Sequence, residues 1–202
     1  MIRLYQTPEC PFCHRVRIAL TEKGLDYQIV PVDFSKKENR TEQFLRLNPL
    51  GQLPVLSDDD LVLSDSLVIN EYLNEEYPYP ELLPEDSQER AQIRNWSQWI
   101  NQLIADPFFE LYLADAAQKK GEAVNLSKVE QAKSQIALFL NRAEQQLKGK
   151  EFLVGNYSLA DIAFAPFVSY FEQFKVEIPA SCENVKVWFK RLNTRNAIVK
   201  TR

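Results

Sequence analysis

Thr7-Pro8-Glu9-Cys10-Pro11-Phe12-Cys13-His14-Arg15 is the stretch on which the reading of this chain turns. It follows a short strand, Ile2–Tyr5, and opens an amphipathic helix with Val16, Ala19 and Leu20 on one face. Cys10 falls where a helix cap belongs, and Pro11 falls at the first helical position, where a missing N–H costs nothing. The free N–H groups of the first turn and the positive end of the helix dipole favour a thiolate there. The pattern predicts an ionisable sulfur at a helix end, and with it thiol chemistry. Cys10-Pro11-Phe12-Cys13 has the CxxC spacing of dithiol redox proteins. Zinc is a poor fit, because one CxxC, the single His14 directly after Cys13 on the helix and the distant Cys182 make a poor set of four ligands, so no metal is expected. His14 reads as a surface or packing residue.

Working outward, the first 77 residues alternate strand and helix signals. A helix over Pro11–Lys23 closes at Gly24. Tyr27–Phe34 reads as a second strand, in which Pro31 points to an edge or a bulge. Thr41–Leu47 is a helical turn ended by Asn48-Pro49 and Gly51. Pro54–Ser57 and Leu61–Leu63 flank a turn at Asp58-Asp59-Asp60, and Leu67–Glu76 returns to helical spacing. The result is βαβ followed by ββα. Residues 78–87, punctuated by Pro78, Pro80 and Pro84, read as a linker. Residues 88–202 read as helix throughout: Ser87 to about Lys119, Ser127–Lys148, a nearly all-apolar Leu159–Phe171, then Glu183–Asn193 and a terminal turn. The fold class expected is therefore an α/β domain at 1–77 and an all-α domain at 88–202.

The 202 residues are enough for real cores without disulfide staples. A net charge of −4 with no concentrated Lys/Arg stripe argues against nucleic acid or an anionic membrane as the main partner. No apolar run approaches the roughly 18 residues of a membrane span. Met1 leads straight into the first strand, so no leader is expected. Three cysteines, two of them in the CxxC, suit a reducing compartment, and the cytoplasm is the expected location.

Three further motifs carry a local reading. In Asn48-Pro49-Leu50-Gly51-Gln52-Leu53-Pro54-Val55, a proline at a strand start is compatible with a cis bond, and Leu53 could then offer its N–H and C=O to an extended peptide; otherwise the segment is simply a loop. Asp65-Ser66 fits a helix cap, and the same helix start could hold a carboxylate ligand with Ser66 donating and Asp65 meeting an ammonium. Ser158-Leu159-Ala160-Asp161 is a capping-box arrangement, assigned to folding of the helical half.

In this order and spacing, the Cys10 motif, Leu53-Pro54-Val55, Asp65-Ser66 and Ser158–Asp161 resemble the glutathione transferase superfamily over nearly the whole chain. The resemblance implies a thioredoxin-like first domain, an all-helical second domain, a homodimer, and glutathione as co-substrate. Most of the family activates glutathione with a tyrosine or serine hydroxyl; this chain looks more like the cysteine-type branches, the omega class and the dehydroascorbate reductases, which share a Cys-Pro-Phe run here. Carried over by position, Cys10 is the nucleophile, Phe12 lines the sulfur pocket, and Leu53, before a cis Pro54, pairs its backbone with the cysteinyl unit. Asp65 and Ser66 hold the γ-glutamyl end, and Arg40 faces the glycyl carboxylate, with Lys36, Lys37 and Gln52 as alternatives. Cys13 is left open between resolving thiol and packing residue. The expected activity is thiol transfer or dehydroascorbate reduction through a Cys10 mixed disulfide. Conjugation of glutathione to small electrophiles such as isothiocyanates or aryl halides is the alternative, and a non-enzymatic regulator on the same fold is the third reading.

Overall fold

In the computed structural model, which describes residues 1–201, β1 (Ile2–Gln6) runs through the middle of a four-stranded sheet of order β2-β1-β3-β4. β2 (Gln28–Pro31) lies parallel to β1, while β3 (Val55–Asp58) pairs antiparallel with β1 and β4 (Leu61–Ser64) antiparallel with β3. Helix α1 (Pro11–Glu22) joins the two parallel strands; α2 (Glu42–Leu47) and α3 (Ser66–Glu76) complete the βαβ–ββα pattern. Alternation along β1 sends Ile2 and Leu4 to a core shared with Val16, Ala19, Leu20, Leu56, Ile69 and Leu73. Tyr5, on the opposite parity, joins a second cluster of Cys13, Val32, Phe44, Leu53 and Val55. β2 is an edge strand, so Pro31 removes no donor that a neighbour needs. It is shorter than the sequence predicts because Asp33 Oδ1 accepts from Ser35 N at 2.8 Å and from its hydroxyl at 2.6 Å, turning the chain away.

The described chain divides into two compact units: Met1–Leu83 together with the residues from Asn196 on, and Pro84–Arg195. The sequence reading grouped the C-terminal turn with the helical half. Instead α9 (Asn196–Lys200) packs on α1, where Thr201 O accepts from Arg17 Nε at 3.1 Å and Thr201 Oγ1 lies 3.0 Å from His14 Nε2.

The second unit comprises α4 (Ser87–Ile100), α5 (Asp106–Lys119), α6 (Leu126–Gln146), α7 (Leu159–Val168) and α8 (Glu183–Thr194). The single long helix expected to Lys119 is broken by a π-helical turn at Asn101–Ala105, just before Pro107, which has no N–H to donate. Every residue of α7 is buried, and Phe164 stacks on Phe139 at 5.5 Å and on Trp188 at 5.1 Å between centroids. At its head Asp161, with no exposed surface, accepts from Leu153 N (3.1 Å), Ser158 N (3.0 Å), Ser158 Oγ (3.2 Å) and Trp188 Nε1 (2.9 Å). Burial lifts its carboxyl to about 6, against those donors. An amide in this place would turn one acceptor into a donor facing donors. Asp161→Asn is therefore expected to lose roughly 2–3 kcal/mol of stability in urea unfolding, with Cys10 reactivity unchanged in the folded protein.

Candidate active site

The end of β1 delivers the chain to a tight loop in which Cys10 N donates to Thr7 O at 3.3 Å, and His14 N closes the first helical bond to Cys10 O at 2.9 Å. Cys10 is the N-cap of α1, extended at φ −84° and ψ 117°, and Pro11 stands at the first helical position. Its Sγ accepts from Cys13 N at 3.3 Å. The Cys13 side chain, the N–H groups of Cys13 and Phe12, and the charge of Arg17 hold the Cys10 thiol down to about 7, against the opposing effect of burial. Cys13 moves the other way: its thiol is pushed far up by burial in the second cluster and then by the neighbouring Cys10. Near neutral pH it is the first sulfur that ionises, beside a Cys13 that stays a thiol. Cys10 is half-buried, and Cys13 has no exposed surface.

The segment leading to β3 lies against the same cluster. Leu53-Pro54 is a cis peptide, and Leu53 packs in the cluster that contains Cys13 and Val55. The loop before it is built around Gly51 at φ +65°: Gly51 N donates to Asn48 O at 2.9 Å, Asn39 Nδ2 to Gly51 O at 2.8 Å, and Asn48 Nδ2 to Gln52 O at 2.9 Å. A Cβ on Gly51 would meet Asn39 O at 2.8 Å, so the conformation and the close approach both require glycine. Arg40 is exposed and donates from Nη1 to Leu50 O at 3.3 Å, at the head of this loop, with the exposed Gln52 two residues on. Lys36 pairs with Asp33 at 3.4 Å.

Asp65 caps α3, its Oδ1 accepting from Leu67 N at 2.8 Å and Val68 N at 3.3 Å. It does so at φ +74°, a conformation uncommon for any residue but glycine and one that clusters at functional sites. Ser66 is buried, and its hydroxyl accepts from Arg15 Nη1 at 3.3 Å. That guanidinium lies 5.1 Å from the Phe12 ring centroid. The structure thus joins Phe12 to Ser66 through Arg15, and Cys13 to Leu53 through the cluster. Arg40 and Gln52 stand on the loop that leads to Leu53.

Sequence reasoning missed the two arginines that support this arrangement. Arg15 has no exposed surface, and Arg17 is buried, donating to Pro8 O at 3.2 Å, to Thr201 O and to Gln6 Oε1. Their signal was an Arg-Val-Arg run inside a helix that is otherwise largely core. Among the described residues no group of three or more His, Cys, Asp or Glu side chains could hold a metal ion. A cavity of about 630 Å³ in the second unit, lined by Trp96, Trp99 and Arg142 among others, includes none of the predicted site residues.

Two family models match the chain: the glutathione S-transferase N-terminal domain over residues 9–76 and the glutathione S-transferase C-terminal domain over residues 100–196. Maleylacetoacetate isomerase of Rattus norvegicus is 37% identical over 166 residues, covering 81% of this chain and 75% of the relative. Glutathione S-transferase 3 of Zea mays is 32% identical, covering 99% and 92%. The crystal structure of glutathione transferase F2 from Populus trichocarpa superposes with a TM-score of 0.92 at 26% identity, covering 100% of this chain and 97% of that one.

With the thiol held at about 7, alkylation of Cys10 rises with pH through that value as the thiolate forms. In Cys13→Ala the rate profile is expected to move to higher pH, toward the ordinary thiol range near 8.5. Cys13→Ser, which keeps a side-chain donor, is expected to stay close to wild type. Iodoacetamide kinetics across pH measures both.

Proposed function

The chain belongs to the glutathione S-transferase family and is an enzyme of that family, and we propose that its reaction is thiol transfer through Cys10. The observation that carries this reading is the Cys10 sulfur at the head of α1, accepting from Cys13 N at 3.3 Å and held at about 7. A hydroxyl at such a position can only donate to the glutathione thiolate; a cysteine thiolate can itself attack.

In the first step Cys10 S⁻ attacks the glutathionyl sulfur of a mixed disulfide. The Cys10–glutathione S–S bond forms, the substrate S–S bond breaks, and the substrate leaves as a thiolate that takes a proton. In the second, glutathione thiolate attacks the glutathionyl sulfur on Cys10. Oxidised glutathione leaves, and Cys10 is again a thiolate. The sum is an exchange: one glutathione thiol is oxidised to disulfide level, the substrate sulfur returns to a thiol, and the transferred glutathionyl sulfur stays at disulfide level throughout. Dehydroascorbate reduction differs in its balance: two glutathione thiols give two electrons and two protons and leave together as oxidised glutathione. In this cycle Cys13 donates to the Cys10 thiolate; its own elevated pKa makes it a poor resolving nucleophile.

The proposal assigns Ser66 and Asp65 to the γ-glutamyl end of glutathione, since the cap of α3 supplies a hydroxyl and a carboxylate side by side. Leu53, before the cis Pro54, is assigned to the cysteinyl backbone and Phe12 to the wall beside the sulfur, with Arg40 or Gln52 at the glycyl carboxylate. A site similar to those of the omega class and the dehydroascorbate reductases, a homodimer, a small disulfide or electrophilic second substrate and a cytoplasmic location belong to the same proposal. All three cysteines are free in the structure, as a reducing compartment requires.

The rat relative favours a second reading, isomerisation of maleylacetoacetate or a similar substrate, with glutathione's own sulfur as the reacting atom and Cys10 a hydrogen-bonding neighbour. Conjugation to an isothiocyanate or aryl halide would use the same atoms. Cys10→Ser separates these readings. Thiol transfer predicts a loss of about 100-fold or more in the reduction of a glutathionylated peptide, with Cys13→Ser retaining most of it and a glutathione adduct mapping to Cys10. Cys10→Ser protein that isomerises or conjugates as well as wild type, with no disulfide reduction in either, contradicts the proposal.

A further inference from the structure

Helix α1 carries a cation with no surface at all: Arg15, 0% exposed, one turn beyond Cys10. Burying a guanidinium is costly, and neighbouring groups must offset that cost. Two of its neighbours are plain: Nη1 donates to the Ser66 hydroxyl at 3.3 Å, and the guanidinium lies against Phe12, two residues after the nucleophile. Its backbone is also held, Arg15 O accepting from Asn70 Nδ2 at 3.4 Å, so α1 and α3 are tied at this residue on both sides.

We propose that Arg15 is a positioning residue shared by the two halves of the thiol site, fixing the Ser66 hydroxyl at one end and stabilising negative charge on Cys10 at the other. The electrostatic half starts from placement: the cation is buried on the helix that Cys10 caps, against the ring two residues after the sulfur. Burial pulls the guanidinium down to about 9, while Asp65 and then Cys10 push it back up. An interaction between two charges is symmetric, so a sulfur that favours charged Arg15 is favoured by it in turn. Arg17, the other buried cation of α1, also lowers the Cys10 thiol but spends its donors on Gln6, Pro8 and Thr201. Of the two, only Arg15 also reaches the residues assigned to the ligand's carboxylate. Its charge therefore serves nucleophile and ligand together. In this respect the inference rests on the proposed glutathione site, whereas its effect on Cys10 does not.

Arg15→Lys and Arg15→Gln test it, with iodoacetamide kinetics across pH on protein free of glutathione and calorimetric titration with S-methylglutathione. Arg15→Lys keeps the charge and loses the planar fork. The alkylation midpoint is expected to stay near 7 while S-methylglutathione binding weakens several-fold. Arg15→Gln is expected to raise the midpoint and weaken binding. Wild-type profiles for both measurements in folded Arg15→Gln overturn the proposal. Should neither variant fold, the guanidinium resonances of ¹⁵N-arginine wild-type protein decide. Arg15 must shift with a midpoint near 7 and lose that shift in Cys10→Ser; a resonance indifferent to Cys10 ionisation overturns it. Because the alkylation midpoint is read without glutathione, it stands whether or not Cys10 transfers thiols. Absence of a glutathione adduct would overturn only the reaction.

Discussion

One neighbour organises the chemistry of the first unit: Cys13, whose side chain favours charge on the Cys10 sulfur most and whose N–H is directed at that sulfur in a contact of 3.3 Å. That contact exists because Pro11 starts the helix without needing a donor and because β1 ends four residues earlier, so that the first free N–H groups of α1 converge on the cap side chain. A capping residue ordinarily contributes stability to its helix. Here the cap is a thiol, and the same geometry contributes to the charge it carries. Cys13 completes the arrangement from below: buried among Val32, Phe44, Leu53 and Val55, it stays protonated and remains a donor.

The rest of the first unit keeps α1 where that contact needs it. Three cations on or just beyond this helix, Arg15, Arg17 and Lys23, are each no more than 7% exposed, and each ties α1 to a segment distant in sequence. Arg15 reaches the head of α3, while Arg17 reaches the loop before Cys10 and Thr201 near the C-terminus. Lys23 Nζ donates to Asn74 Oδ1 at 2.9 Å and to Tyr77 O and Pro80 O at 2.7 Å each. Charged hydrogen bonds of this kind are individually worth about 1.5–3 kcal/mol, and losing one partner leaves a buried charge uncompensated. The helix is thus positioned by polar contacts as well as by its apolar stripe.

Much of this was legible in the residues. Apolar spacing gave the βαβ–ββα order, Pro31 marked an edge strand, and the Pro11 context placed Cys10 at a cap. What escaped had a physical reason in each case. Arg15 and Arg17 look like solvent-facing positions to any hydropathy pattern, because a buried guanidinium has no local signature. The π-helical turn at Asn101–Ala105 comes from a proline, Pro107, inside otherwise strong helical periodicity. The five residues of α9 are too few to reveal which core they join. β2 stopped early because the Asp33 side chain offered the backbone a competing turn. The positive φ of Asp65 is invisible without coordinates.

The membership of the family carries the fold and the use of glutathione; the choice of reaction turns on whether Cys10 carries charge at neutral pH. The ultraviolet thiolate absorbance of the wild-type protein, titrated against pH and referenced to Cys10→Ser, measures this directly. The account predicts a difference signal with a midpoint near 7. A midpoint in the ordinary thiol range near 8.5, or no difference between the two proteins below that pH, would contradict it.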